Sequence, residues 1–203
     1  MRQYLIILLV GLAGSASAQE SYLYFAWDVN TPISNTEWIG STSTSGGRVG
    51  YRHFIGAARR FSAGLDVNWA YYQEYKPTET FLRPGGAITT DYFNEISQFG
   101  IALSGQYYFQ VGEEQRIFPY TGLGLGASRN FYSVYYNIYE DSESQWGFLA
   151  RPEAGLLLPI GARRRFALSA AVHYDFSTSR SENYSYDGFS SWGFHLGGAL
   201  LHW

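Results

Sequence analysis

Cysteine is absent from this 203-residue chain, which excludes disulfides, thiolate nucleophiles and zinc–thiolate sites together. Charge is scarce too: 15% of residues carry it, and 14 Lys and Arg against 17 Asp and Glu leave a net −3 with no basic run. That balance offers nucleic acid no electrostatic footprint, so nucleic acid is not expected as a partner. Histidine is limited to His53, His173, His195 and His202, which lack the paired acid and imidazole spacing of a zinc or iron site. No metal and no cofactor are expected. Long hydrophobic runs are missing as well, since no segment reaches the roughly 20 apolar residues that a spanning helix needs.

Aromatic residues are abundant, at 19% of the chain, with 18 Tyr, 14 Phe and 6 Trp. They fall into an alternating pattern. Phe61, Ala63, Leu65, Val67, Trp69 and Tyr71 share one parity, and Ser62, Gly64, Asp66, Asn68 and Ala70 share the other. From Phe166 the pattern repeats, with Leu168, Ala170, Val172, Tyr174 and Phe176 set against Ala167, Ser169, Ala171, His173 and Asp175. A period of two makes a strand with one greasy and one polar face; a helix would repeat at three and four. In a membrane-spanning barrel the apolar face turns outward to lipid and the polar face inward, and aromatic girdles mark both interfaces.

Residues 1–18 read as a secretory signal peptide: Arg2 precedes the apolar run from Leu5 to Leu12, and Ala16 and Ala18 form an A-x-A-like cleavage site. Residues 19–203 then form one domain. Eight strands are predicted, at Ser21 to Asn30, Gly47 to Ile55, Arg60 to Tyr75, Glu95 to Phe109, Arg116 to Phe131, Gln145 to Leu158, Arg165 to Ser177 and Ser191 to Trp203. The connections after the second, fourth and sixth are short, and those after the first, third, fifth and seventh are longer. An exported chain without a spanning helix can still cross a bilayer as a closed barrel, because closure satisfies every backbone polar group. The fold class is therefore all-β, an eight-stranded antiparallel transmembrane β-barrel, with short periplasmic turns and long external loops.

Two segments carry a family likeness. The run Pro119-Tyr120-Thr121-Gly122-Leu123-Gly124-Leu125-Gly126 resembles the Gly-alternating strand of small outer-membrane barrels of the OmpA, OmpX and OmpW type. The C-terminal segment, with Ala199, Leu201 and Trp203 on one parity, resembles the assembly signal of outer-membrane proteins, although His195 and Gly197 depart from its apolar preference. The resemblance implies a Gram-negative outer-membrane location and a packed interior. It also implies the barrel-assembly machinery and periplasmic chaperones as partners, along with outer-membrane lipids and lipopolysaccharide. A monomer is expected.

With the apolar parity outward, Asp28, Arg52, Asp66, Glu74, Arg151, Glu153, His173 and Asp175 face one lumen, with Gln98 and Gln106. An eight-stranded interior holds little more than side chains, so these groups are expected to pair as a plug. A narrow ion pathway past Arg52, Arg151 and Glu153, in a channel of the OmpW kind, is the alternative. An enzyme acting on acyl chains of lipid A or phospholipid is a third reading, for which His173, Asp175 and Ser177 make a superficial acid–base–nucleophile row. That row faces the lumen and not lipid, so no catalysis is expected. The stretch Lys76 to Asn94, with Arg83-Pro84-Gly85-Gly86, is expected as the longest flexible loop, and Glu140, Asp141 and Glu143 as a solvated loop tip. The aromatic run Phe131 to Tyr139 reads as outer girdle or as strands rising above the membrane. The expected function is structural or surface-interacting.

Overall fold

A computed structural model describes residues 20–202, except 57, 84–85, 112–116, 137–138, 163, 182 and 185–186, together with all but the side chain of Arg83. The leader expected at residues 1–18 and Trp203 lie outside the described residues. Eight strands follow in order: β1 Ser21–Pro32, β2 Ser43–Ile55, β3 Phe61–Arg83, β4 Gly86–Tyr108, β5 Phe118–Tyr136, β6 Tyr139–Ile160, β7 Phe166–Ser177 and β8 Phe189–His202. Each pairs antiparallel with its neighbours, and β1 pairs with β8 from Ser21↔His202 to Pro32↔Ser191, which closes the barrel.

Closure explains the alternation. Along β7 the residues from Ala167 to Ser177 on one parity are buried, while Phe166, Leu168, Val172 and Phe176 are exposed. The outside of the barrel is a predominantly apolar surface. Trp27, Trp69, Phe99, Trp146 and Trp192 ring it toward one end, and Ile55, Phe61, Phe109 and Phe166 toward the other. So much exposed aromatic and aliphatic surface is tolerable only against lipid. Among the described residues no helix is long and apolar enough to cross a membrane, and the strands do the crossing.

The long connections differ from expectation. Lys76 to Asn94 is no loop: β3 and β4 continue as a ribbon to the pair Arg83↔Gly86. Pro77 sits inside a register shift between Lys76 and Glu79, where a residue without an amide hydrogen interrupts no ladder. Beyond it Thr80 and Thr89 share a hydroxyl hydrogen bond at 2.8 Å, and the rings of Phe81 and Tyr92 stack edge-on at 5.1 Å. Likewise β5 and β6 run on to Tyr136↔Tyr139, so Glu140, Asp141 and Glu143 lie on a strand and not at a loop tip. The loop composition that suggested turns is accommodated by cross-strand pairs instead.

The barrel is therefore lopsided. Strands β3 to β6 rise as a four-stranded wall, whereas β1, β2, β7 and β8 stop lower and are joined through residues 33–42 and 178–188. We call the wall side the hairpin end, and the opposite side, which holds both termini of the barrel and the connections 56–60 and 161–165, the turn end.

Candidate functional site: a three-layered lumen

The interior is stacked in layers. At the turn end Tyr22, Tyr24, Phe54, Tyr108, Phe118, Tyr120, Leu157 and Leu201 form an apolar floor with small alanines between them. At the hairpin end Ile39, Ala70, Tyr72, Ile96, Tyr132 and Phe189 form a second cluster, with Trp38 and Tyr184 packed on it. Between them lies a layer of charge.

That layer is wired by register. Gly50 faces Asp66 in the β2–β3 ladder, and Arg52 lies one inward step along β2, so its guanidinium spans to both Asp66 oxygens at 2.7 Å each. A planar fork on a carboxylate is the strongest pairing available here. The Tyr24 hydroxyl donates to the same carboxylate at 2.6 Å, and the Ser104 hydroxyl donates to its other oxygen. Arg48 reaches across the barrel to Glu153 at 3.0 Å and approaches Asp28 at 3.5 Å. Gln106 donates to Glu153, and accepts from Tyr22 at 3.0 Å and from Tyr108 at 2.6 Å. Arg151 clasps Asp175 through two nitrogens. The seven charged side chains of this layer are all at most 3% exposed, a burial that requires such pairing.

Seven of the eight residues read from sequence as luminal, Asp28, Arg52, Asp66, Arg151, Glu153, His173 and Asp175, meet in this layer. Glu74, expected to pair with them in the plug, lies outside the layer. It points inward but stands above the layer on the wall, where it accepts from the amides of Gly40 and Ser41 and from the Lys76 ammonium at 2.7 Å, fastening the 33–42 connection. Sequence reasoning missed Arg48, although its parity with Arg52 was there to read. It also missed Tyr22, Tyr24 and His195, because aromatic and imidazole groups fit either face of a strand.

The row of His173, Asp175 and Ser177 is not a relay. The His173 Nε2 atom lies 3.0 Å from Asn30 Oδ1, Asp175 is held by Arg151, and the Ser177 hydroxyl pairs with that of Ser128 at 2.6 Å. Gly193 lies directly across the ladder from His173, and a methyl there would strike the imidazole. The acidic residues Glu140, Asp141 and Glu143 do not converge either: among the described residues no group of three His, Cys, Asp or Glu side chains could hold a metal ion. In β8, Ala199 and Leu201 turn inward onto the floor, whereas the outward row is Trp192, Phe194, Leu196 and Leu200; Trp203 lies outside the described residues. His195 and Gly197, which interrupt the apolar parity, thus belong to the luminal row.

No family model matches the chain, and no curated relative matches it in sequence. Solved structures do match. Neisserial surface protein A aligns over 89% of this chain and 96% of its own, at 18% identity and a TM-score of 0.57. Ail, the attachment invasion locus protein of Yersinia pestis, solved with the heparin analogue sucrose octasulfate, aligns over 91% and 99%, at 15% identity and a TM-score of 0.49. The outer membrane protein OprG of Pseudomonas aeruginosa aligns over 91% and 96%, at 13% identity and a TM-score of 0.45. The fold shared with Neisserial surface protein A is the eight-stranded outer-membrane β-barrel.

Proposed function

We propose that the protein is a sealed barrel of the Gram-negative outer membrane, exported by the leader at residues 1–18, with a structural or surface-interaction role and neither a conducting pore nor a catalytic centre. One observation carries this reading: among the described residues a layer of paired charged side chains spans the lumen, flanked on both sides by apolar clusters, which supports a closed interior over a hydrated path. The pairing of Ser177 with Ser128, of Asp175 with Arg151 and of His173 with Asn30 supports the non-catalytic part. Lipid and lipopolysaccharide surround the apolar belt, and the assembly machinery and chaperones of that membrane deliver the chain, with Ala199, Leu201 and Trp203 as its terminal recognition segment. The wall of β3 to β6 is the surface presented outside the cell, and the barrel works as a monomer.

The lack of native cysteine makes topology easy to test. In intact cells a membrane-impermeant maleimide is expected to label Thr80→Cys on the wall and to spare Ala58→Cys at the turn end. The reverse pattern would contradict the orientation. Incubation with lipid A and with phospholipid, followed by mass spectrometry, should show no acyl loss; loss that disappears in His173→Ala would overturn the non-catalytic reading.

A further inference from the structure

One arginine stands on the lipid-facing side of the barrel. Arg129 of β5 sits in register between Phe99 of β4 and Trp146 of β6, both of them exposed members of the hairpin-end girdle. Its guanidinium carbon lies 4.4 Å from the centre of the Phe131 ring and 5.7 Å from that of Trp146. One terminal nitrogen donates to Ser144 Oγ at 3.1 Å, while the enclosed Nε has no partner. Among the described residues no carboxylate pairs with it. Glu95, which faces outward further up β4, is taken by the Gln73 amide at 2.8 Å.

Such a charge is costly on an apolar surface unless an anion meets it from outside the protein. The aromatic rings fix the guanidinium plane, which leaves its donors preset for a tetrahedral oxyanion. Girdle aromatics sit at headgroup depth, where lipid phosphates lie. Toward the belt the next outward residues are Ile101, Ala127 and Phe148, an apolar track for acyl chains.

We propose that Arg129 and Ser144 bind the phosphate of a phosphorylated lipid in the hairpin-end leaflet, with its acyl chains along the β4–β6 face. This rests on the membrane placement proposed above, under which the lipid is the lipid A part of lipopolysaccharide. The test titrates the detergent-solubilised full chain with diphosphoryl lipid A, followed by native mass spectrometry. Arg129→Gln, or removal of both phosphates from the lipid, should each weaken binding about tenfold. Ser144→Ala should weaken it roughly threefold. Unchanged binding by Arg129→Gln that keeps heat-modifiable migration overturns the site, and so does displacement of the lipid by millimolar inorganic phosphate, which would make it a free-ion site. If Arg129→Gln loses that migration, unchanged binding by Ser144→Ala overturns it instead. Flotation of the wild-type protein with liposomes separates the two readings: failure to float removes the membrane placement itself, whereas flotation with unchanged Arg129→Gln binding removes only the phosphate site.

Discussion

The charged layer and the hairpin-end cluster both fill the lumen, but they are built differently. The layer hangs from the strands: Arg52 and Asp66 come from paired β2 and β3, and Arg151 and Asp175 from paired β6 and β7. The cap borrows from connections: Trp38 and Ile39 come from residues 33–42 and Tyr184 from 178–188, and these meet strand residues such as Tyr132. A seal carried by strands moves only if the barrel moves. A cap carried by connections can be trimmed separately, so the two closures should respond differently to mutation.

The largest effect should come from unpairing the layer. Arg52→Ala leaves the Asp66 carboxylate buried with only the Tyr24 and Ser104 hydroxyls, and should cost about 3–5 kcal/mol in urea unfolding of the detergent-folded barrel. Replacing both partners, Arg52→Met with Asp66→Leu, should recover most of that loss. Should the single variant prove as stable as the parent, the layer would not be the strand-borne lock described here. Next comes Gly193→Ala, whose new methyl meets the His173 ring within the same layer; destabilisation of about 1–3 kcal/mol is expected in the same assay.

The cap should yield less. Trp38→Ala removes a part-buried ring from Tyr132 and Tyr184, a loss of about 2 kcal/mol, and a protease of broad specificity such as proteinase K should then cut the 33–42 connection sooner. Equal protease resistance in parent and variant would mean that the ring does not hold the connection down. The smallest effect belongs to Tyr132→Phe, which deletes the hydrogen bond donated to the Ser179 carbonyl and the one accepted from the Asn130 amide, both at 3.2 Å, and should cost about 1–1.5 kcal/mol.

These two regions also differ in how far they could be read from the sequence. The layer was legible because period-two alternation assigns Asp28, Asp66 or Arg151 to a face without any knowledge of the partner. Partner choice was not legible, since the reach of Arg48 across the lumen to Glu153 depends on closure and register, which no local pattern encodes. The cap escaped because Trp38 and Tyr184 lie outside any alternating segment and acquire a place only when their connections fold onto the strands. The wall was hidden for a related reason: Pro77 and the Arg83–Gly86 stretch carry turn chemistry, yet a bulge and cross-strand pairs absorb the first and confine the second to the tip. Glu74 shows the limit of parity alone, which sets direction but not height along the barrel.

The central claim is that strand-borne pairs close the lumen whatever the cap does, and single-channel recording in planar bilayers tests it most directly. The parent and Trp38→Ala should both show no steady conductance. A stable open level in either protein, with the charged layer intact, would contradict the sealed barrel.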